Sequence, residues 1–106
     1  MLTTLIEPAT GAPLTEVEQA DAGDVDRAVQ AAERAYRGEW RRINTRDRGR
    51  LLLKLADLIR ANAEELARSE ARNVGKPIRD ARDEVGLAAN VFEFYAGATN
   101  KIGGQT

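Results

Sequence analysis

The chain contains no cysteine and no histidine. The first absence removes a thiolate nucleophile, a disulfide framework and every zinc–thiolate site. The second removes the usual general base near neutral pH and the commonest metal ligand. Aromatic residues are scarce, with one Trp, two Phe and two Tyr among 106 residues. No apolar run approaches the roughly 20 residues of a membrane span. The N-terminus lacks the basic-then-apolar pattern of a signal peptide, so a cytoplasmic location is expected. Neither sign of charge dominates: 16 Lys and Arg oppose 17 Asp and Glu, for a net charge of −1. That balance argues against a nucleic-acid groove and against an anionic membrane surface as partner.

What the chain does have is alanine, which supplies 18 of its 45 hydrophobic residues. The length allows one domain at most. A chain of this size can bury roughly 60–70% of its unfolded surface. Burial contributes about 25 cal/mol per Å² of apolar area, and alanine offers little area. Alanine-rich faces suit close packing against a partner better than filling a core alone.

The order of elements is legible from local signals. Leu2 to Glu7 reads as a strand, Pro8-Ala9-Thr10-Gly11 as a turn, and Pro13 to Val17 as a returning strand. This predicts a β-hairpin over residues 1–20, and two strands alone are marginal in water. A helical layer is expected over 21–106. Asp21 or Asp24 caps its first helix, whose inner face carries Val25, Ala28, Val29, Ala32, Ala35 and Tyr36. Gly38 stops that helix, and Trp40 follows in a short connection. Asn44 or Thr45 caps the second helix, with the stripe Leu51, Leu52, Leu55, Leu58 and Ile59. If that stripe is buried, Leu55→Ala should cost about 2–5 kcal/mol.

Asn62 with Glu65 reads as a capping box opening a third helix, and Gly75 closes it. Leu66, Ala67 and Ala71 are its expected inward residues. Pro77 suits the first position of a fourth helix about 36 Å long. One face of this helix carries Ile78, Ala81, Val85, Ala88, Ala89, Phe92, Tyr95, Ala96 and Thr99. A second carries Leu87, Val91 and Phe94. A helix apolar on two sides is packed between partners. The expected fold is therefore mainly α, four helices after a short β-hairpin.

Four local patterns invite a functional reading and each has a plainer one. Gly75-Lys76-Pro77 lacks the hydroxyl residue of a phosphate loop, and Pro77 removes a backbone donor, so a helix–turn–helix joint is expected. Gly103-Gly104-Gln105 matches the tripeptide of release factors, yet no basic RNA-binding patch accompanies it, and a turn after the last helix reads better. Asp21, Asp24 and Asp26 do not have calcium-loop spacing and read as N-capping acids. Arg41, Arg42, Arg46, Arg48 and Arg50 are interspersed with Glu39 and Asp47 and read as a solvated or ion-paired face.

The blocks Ile6-Glu7-Pro8-Ala9-Thr10-Gly11, Asp24-Val25-Asp26-Arg27-Ala28-Val29, Trp40 with Arg48-Gly49-Arg50-Leu51-Leu52, Leu55-Ala56-Asp57-Leu58-Ile59, Glu70 with Gly75-Lys76-Pro77, and Phe94-Tyr95-Ala96-Gly97 come in a telling order. Together they resemble the N-terminal segment of the NAD(P)-dependent aldehyde dehydrogenase family. Glu7 departs from the family's usual Asn before the Pro. The resemblance implies an α/β parent enzyme with a Rossmann-like coenzyme domain, oxidising an aldehyde to a carboxylic acid with NAD or NADP, and forming a homo-oligomer. It implies that the nucleophilic Cys, the general-base Glu and the coenzyme motifs lie beyond Thr106. This chain alone is then expected to be inactive, with no catalytic and no cofactor-binding residue, and to bind no coenzyme. Its partner is the remainder of the enzyme. The resemblance also implies a monovalent cation held by main-chain carbonyls, at the positions of Ile6 and Asn73. The rival expectation is a free-standing helical interaction module with open apolar faces.

Overall fold

The computed structural model describes residues 1–104, so Gln105 of the Gly-Gly-Gln tripeptide lies outside the described residues. The elements run β1 (Leu2–Ile6), β2 (Pro13–Glu18), α1 (Ala22–Arg37), α2 (Glu39–Arg42), α3 (Thr45–Ala61), α4 (Ala63–Val74) and α5 (Ile78–Ala98). The hairpin and the four long helices are those the sequence predicts. One helix was not expected: the single turn α2, which carries Trp40. Four residues are too few to show a period, and Gly38 both ends α1 and begins α2.

β1 and β2 pair antiparallel from Leu2 opposite Glu18 to Ile6 opposite Pro13, with a register shift between Leu5 and Ile6. The turn closes through the Gly11 amide, which donates to the Glu7 carbonyl at 2.9 Å. Gly11 has φ of +69°, a conformation that favours glycine.

The helix starts follow cap chemistry in two of four cases. Asp21 accepts from the Asp24 amide while Asp24 accepts from the Asp21 amide, a complete capping box. Asn44 accepts from the Asp47 amide at 2.9 Å. The capping box expected at Asn62 and Glu65 is not formed. Asn62 makes no side-chain cap bond to α4; its amide instead donates to the Leu58 carbonyl at 2.8 Å, finishing α3. Pro77 sits one position earlier than predicted, as the residue before Ile78 rather than as the first helical residue.

Packing is centred on α5, which lies against α3 and then α4. The buried hydrophobic residues are all alanines: Ala56, Ala67, Ala81, Ala89 and Ala96. Gly49 is also buried, and a Cβ placed on it would stand 2.9 Å from the Ala96 carbonyl oxygen. Small residues let the α3 and α5 backbones approach closely, which is why alanine, not leucine, fills the contact.

This splits the expected core stripe of α3, of which Leu52 and Ile59 lie on the packed face and the other three residues do not. Leu51, Leu55 and Leu58 are exposed, and α3 meets α5 through Gly49, Leu52, Ala56 and Ile59. The cost expected for Leu55→Ala therefore does not carry over to the isolated chain, where Leu55 keeps 39% of its surface in water. Leu66 and Tyr95, also placed inward from the sequence, are exposed as well.

The accessible surface is 8475 Å². A folded monomer of 11.6 kDa would expose only about 5,800 Å². The radius of gyration is 18.2 Å, where an independent domain of this length would have about 13 Å. Both quantities describe a layer whose faces are left open.

Candidate functional site

The chain offers no Cys or His to a reacting centre. Among the described residues no three His, Cys, Asp or Glu gather to hold a metal ion, and no helix is long and apolar enough to cross a membrane. The functional geometry lies in how the hairpin is fastened to the helices and in which faces stay bare.

The hairpin turn meets the end of α4. Arg72 donates from Nε to Glu7 Oε1 at 2.7 Å, and the Thr10 hydroxyl donates to Glu7 Oε2 at 2.7 Å. The Arg72 guanidinium, then the Thr10 hydroxyl, hold the Glu7 carboxyl below its ordinary range. Glu7, where the sequence pattern departs from Asn, is thus the residue that ties turn to helix. Pro8 closes the same joint against Gly75, where φ is +78° and an added Cβ would stand 3.0 Å from the Pro8 ring.

The two residues singled out for main-chain cation binding flank this joint. Ile6 ends β1 and Asn73 lies in the last turn of α4, one residue from Glu7 and Arg72 respectively. Asn73 also lines an open groove between hairpin and α4, with Leu5, Leu14, Ser69 and Arg72. The Glu7 amide donates to the Ala12 carbonyl at 2.9 Å, so Ile6 and Pro13 opposite it form a non-hydrogen-bonded pair and the Ile6 carbonyl points away from β2. Asn73 lies in the last turn of α4, where carbonyls have no donor within the helix. The joint was invisible to sequence reasoning, because Glu7 and Arg72 are 65 positions apart and no local pattern pairs them.

Lys76 answers the phosphate-loop question. Its ammonium lies between Glu84 and Glu70, with the Glu70 contact at 3.2 Å. Those carboxylates raise its pKa, Glu84 foremost. Gly75 ends α4 in the left-handed conformation, so this segment is a helix joint and not a phosphate cradle. The arginine cluster is likewise structural. Arg50 pairs with Asp47 at 3.0 Å, and Arg48 donates to the Trp40 carbonyl at 2.9 Å with its guanidinium 5.5 Å from the Trp40 ring centre.

Two further ion pairs stitch α5 to the layer. Arg60 of α3 reaches Glu93, with Asn90 accepting at 3.1 Å. Arg82 of α5 grips both oxygens of Glu64 on α4, at 2.8 and 2.9 Å. Arg82 first, with Arg68 adding to it, lowers the Glu64 pKa from 4.5 to about 2. A carboxyl depressed on folding stabilises the fold above its unfolded pKa, and that contribution fades as the pH falls through the folded value. The α4–α5 contact should therefore weaken between pH 4.5 and about 2. A carbon-detected NMR titration of Glu64 should place its midpoint well below 4.5. Arg82→Gln should return the Glu64 midpoint to the ordinary range, and an unchanged midpoint would show that the grip does not persist in solution.

The bare surface is apolar and concentrated on three helices. Val25, Val29 and Tyr36 of α1 are 58%, 61% and 63% exposed. Leu51, Leu55 and Leu58 lie on α3, and Leu87, Val91 and Phe94 on α5. A free-standing domain seldom exposes so many large apolar side chains.

Comparison with known proteins accounts for these open faces. The aldehyde dehydrogenase family matches residues 2–106. An aldehyde dehydrogenase of Aspergillus niger is 44% identical over 101 residues, 95% of this chain and 20% of the relative. A mitochondrial 10-formyltetrahydrofolate dehydrogenase of Mus musculus is 44% identical over 103 residues, 95% of this chain and 11% of the relative. Among solved structures, a Bacillus cereus aldehyde dehydrogenase superposes with a TM-score of 0.95 at 41% identity, over 100% of this chain and 22% of its own. An NAD-dependent aldehyde dehydrogenase of Sinorhizobium meliloti gives 0.93 at 39% identity, over 99% and 21%. The chain spans at most about a fifth of the length of the curated relatives it matches. Matched from end to end in sequence and backbone, it belongs to the aldehyde dehydrogenase family and represents that family's N-terminal segment.

Proposed function

We propose that the complete protein containing this segment oxidises an aldehyde to a carboxylic acid, passing a hydride to NAD+ or NADP+. The observation that carries this reading is the match over residues 2–106, at high backbone similarity to solved aldehyde dehydrogenases. Within that protein, residues 1–20 are the fastening hairpin and 21–106 a helical layer on the coenzyme-binding part. The complete enzyme is read as cytoplasmic and homo-oligomeric, and the open apolar faces support cover by further protein.

The segment itself supplies no reacting group. Acyl transfer through a covalent intermediate needs a nucleophile such as a thiolate, and there is no Cys here. The purified 106-residue chain should give no reduced coenzyme with a panel of aldehydes and either NAD+ or NADP+, followed by absorbance. Turnover by mass-verified chain would overturn this division of labour.

The positive test is a chimera in which this segment replaces the matching residues of the Sinorhizobium meliloti enzyme. It should reduce NAD+ with an aldehyde substrate at a rate within about tenfold of the parent, a loss of about 1.4 kcal/mol of transition-state stabilisation. A soluble, NAD+-binding chimera without turnover would contradict the assignment.

The carbonyls of Ile6 and Asn73 are proposed ligands of a monovalent cation, a hard ion that takes oxygen donors. Support comes from their flanking a fastened joint, one carbonyl on the outer edge of the hairpin and the other at a helix C-terminus. Replacing sodium and potassium by choline at constant ionic strength should lower the melting temperature of the chimera. An unchanged melting temperature would remove the cation from this corner.

A further inference from the structure

The faces of α1 and α5 differ in a way that assigns them different places in an assembly. On α5, Leu87, Val91 and Phe94 lie roughly opposite the buried Ala81, Ala89 and Ala96, by the 100° step of a helix. From Gly86 to Ala98 the only charged residue is Glu93, and it is already paired with Arg60. A helical stretch with no free charge around its circumference is suited to burial, and this one is the C-terminal part of α5. α1 is one-sided instead. Val25, Val29 and Tyr36 share one face, while Arg27, Gln30 and Arg34 occupy the other.

The surface left open is large. The chain exposes 8475 Å², about 2,600 Å² more than a monomer of its mass would. That excess is in the range of permanent interfaces, which bury 2,000 Å² or more. The backbone meanwhile already matches the whole solved enzymes, at TM-scores of 0.93 and 0.95.

We propose that α5 and α1 form a docking surface able to hold the remaining four-fifths of an aldehyde dehydrogenase as a separate polypeptide, without the covalent connection. α5 enters as a sandwiched helix and α1 as an outer strap with its charged face in water. This rests on the family reading above, which identifies the partner. Apolar burial of this size is non-directional and does not depend on chain continuity.

The test uses the chimera with a specific protease site at the junction after this segment, so neither piece has to fold alone. Uncut, it reports the family reading through NAD+ reduction. After complete cleavage the two pieces should co-sediment at micromolar concentration and keep most of that activity. Phe94→Glu, at a position 71% exposed in the segment, should leave the segment's circular dichroism unchanged and weaken the cut assembly by about 100-fold or more. Arg34→Gln, on the charged face of α1, should leave it intact. Separation of the pieces on cleavage, with the uncut chimera active, overturns the docking proposal and spares the family reading. An inactive uncut chimera counts against the family reading. Cut segments pairing only with one another would overturn the choice of partner.

Discussion

Adding one methyl group at Gly49 should destabilise the helical layer by about 1–3 kcal/mol, whereas the same addition at Gly86 should stabilise it by about 0.5–1 kcal/mol. Both glycines lie inside helices, where alanine is the better helix former. Their surroundings differ. A Cβ on Gly49 would stand 2.9 Å from the Ala96 carbonyl oxygen and 3.0 Å from the Thr99 hydroxyl. The first neighbour is backbone of α5 and cannot turn aside, so the two helices must move apart. A Cβ on Gly86 meets nothing within 4 Å. Urea melting of both variants within the chimera, where the layer is covered, followed by circular dichroism, separates propensity from packing. Equal shifts in the same direction would mean that α3 and α5 are not held at this distance in solution.

In isolation the chain should be helical, expanded and self-associating. Its buried residues are alanines, and no large side chain is fully buried among the described residues. Without such packing the layer keeps its hydrogen-bonded backbone but lacks the interlocking that makes unfolding cooperative. Dye binding to apolar surface, weak near-UV dichroism and a sedimentation coefficient that grows with concentration are the expected results. Sharp, well-dispersed amide resonances from a monomer that binds no dye would show that the chain is a finished module after all. Fusion into the complete enzyme should remove the dye binding, because the same faces become interior.

The sequence by itself determined where α1 and α3 begin and where α1 and α4 end. Asp21 and Asn44 accept the first free amides of α1 and α3, and Gly38 and Gly75 end α1 and α4. These are contacts within a few residues, set by local chemistry. The order of short blocks from Ile6 to Gly97 was also sufficient to identify the family, since each block reflects a turn, cap or packing need of one particular fold.

Tertiary structure alone decided which apolar face of each helix meets its own chain. The stripe of α3 read from periodicity, Leu51, Leu52, Leu55, Leu58 and Ile59, straddles two faces: Leu52 and Ile59 are half-buried beside Gly49 and Ala56, and Leu51, Leu55 and Leu58 are exposed. The structure fully buries only Gly49 and Ala56 of this helix, because two backbones that approach closely leave room only for hydrogen and methyl groups. Tertiary structure also made the long-range fastenings: Glu7 with Arg72, Glu64 with Arg82, and Arg60 with Glu93. No local rule pairs charges that far apart in the chain, since any exposed arginine can meet any exposed carboxylate until the backbone sets their distance. The segments that carry the Ile6 and Asn73 carbonyls share that dependence, since only the folded joint between Glu7 and Arg72 brings them together.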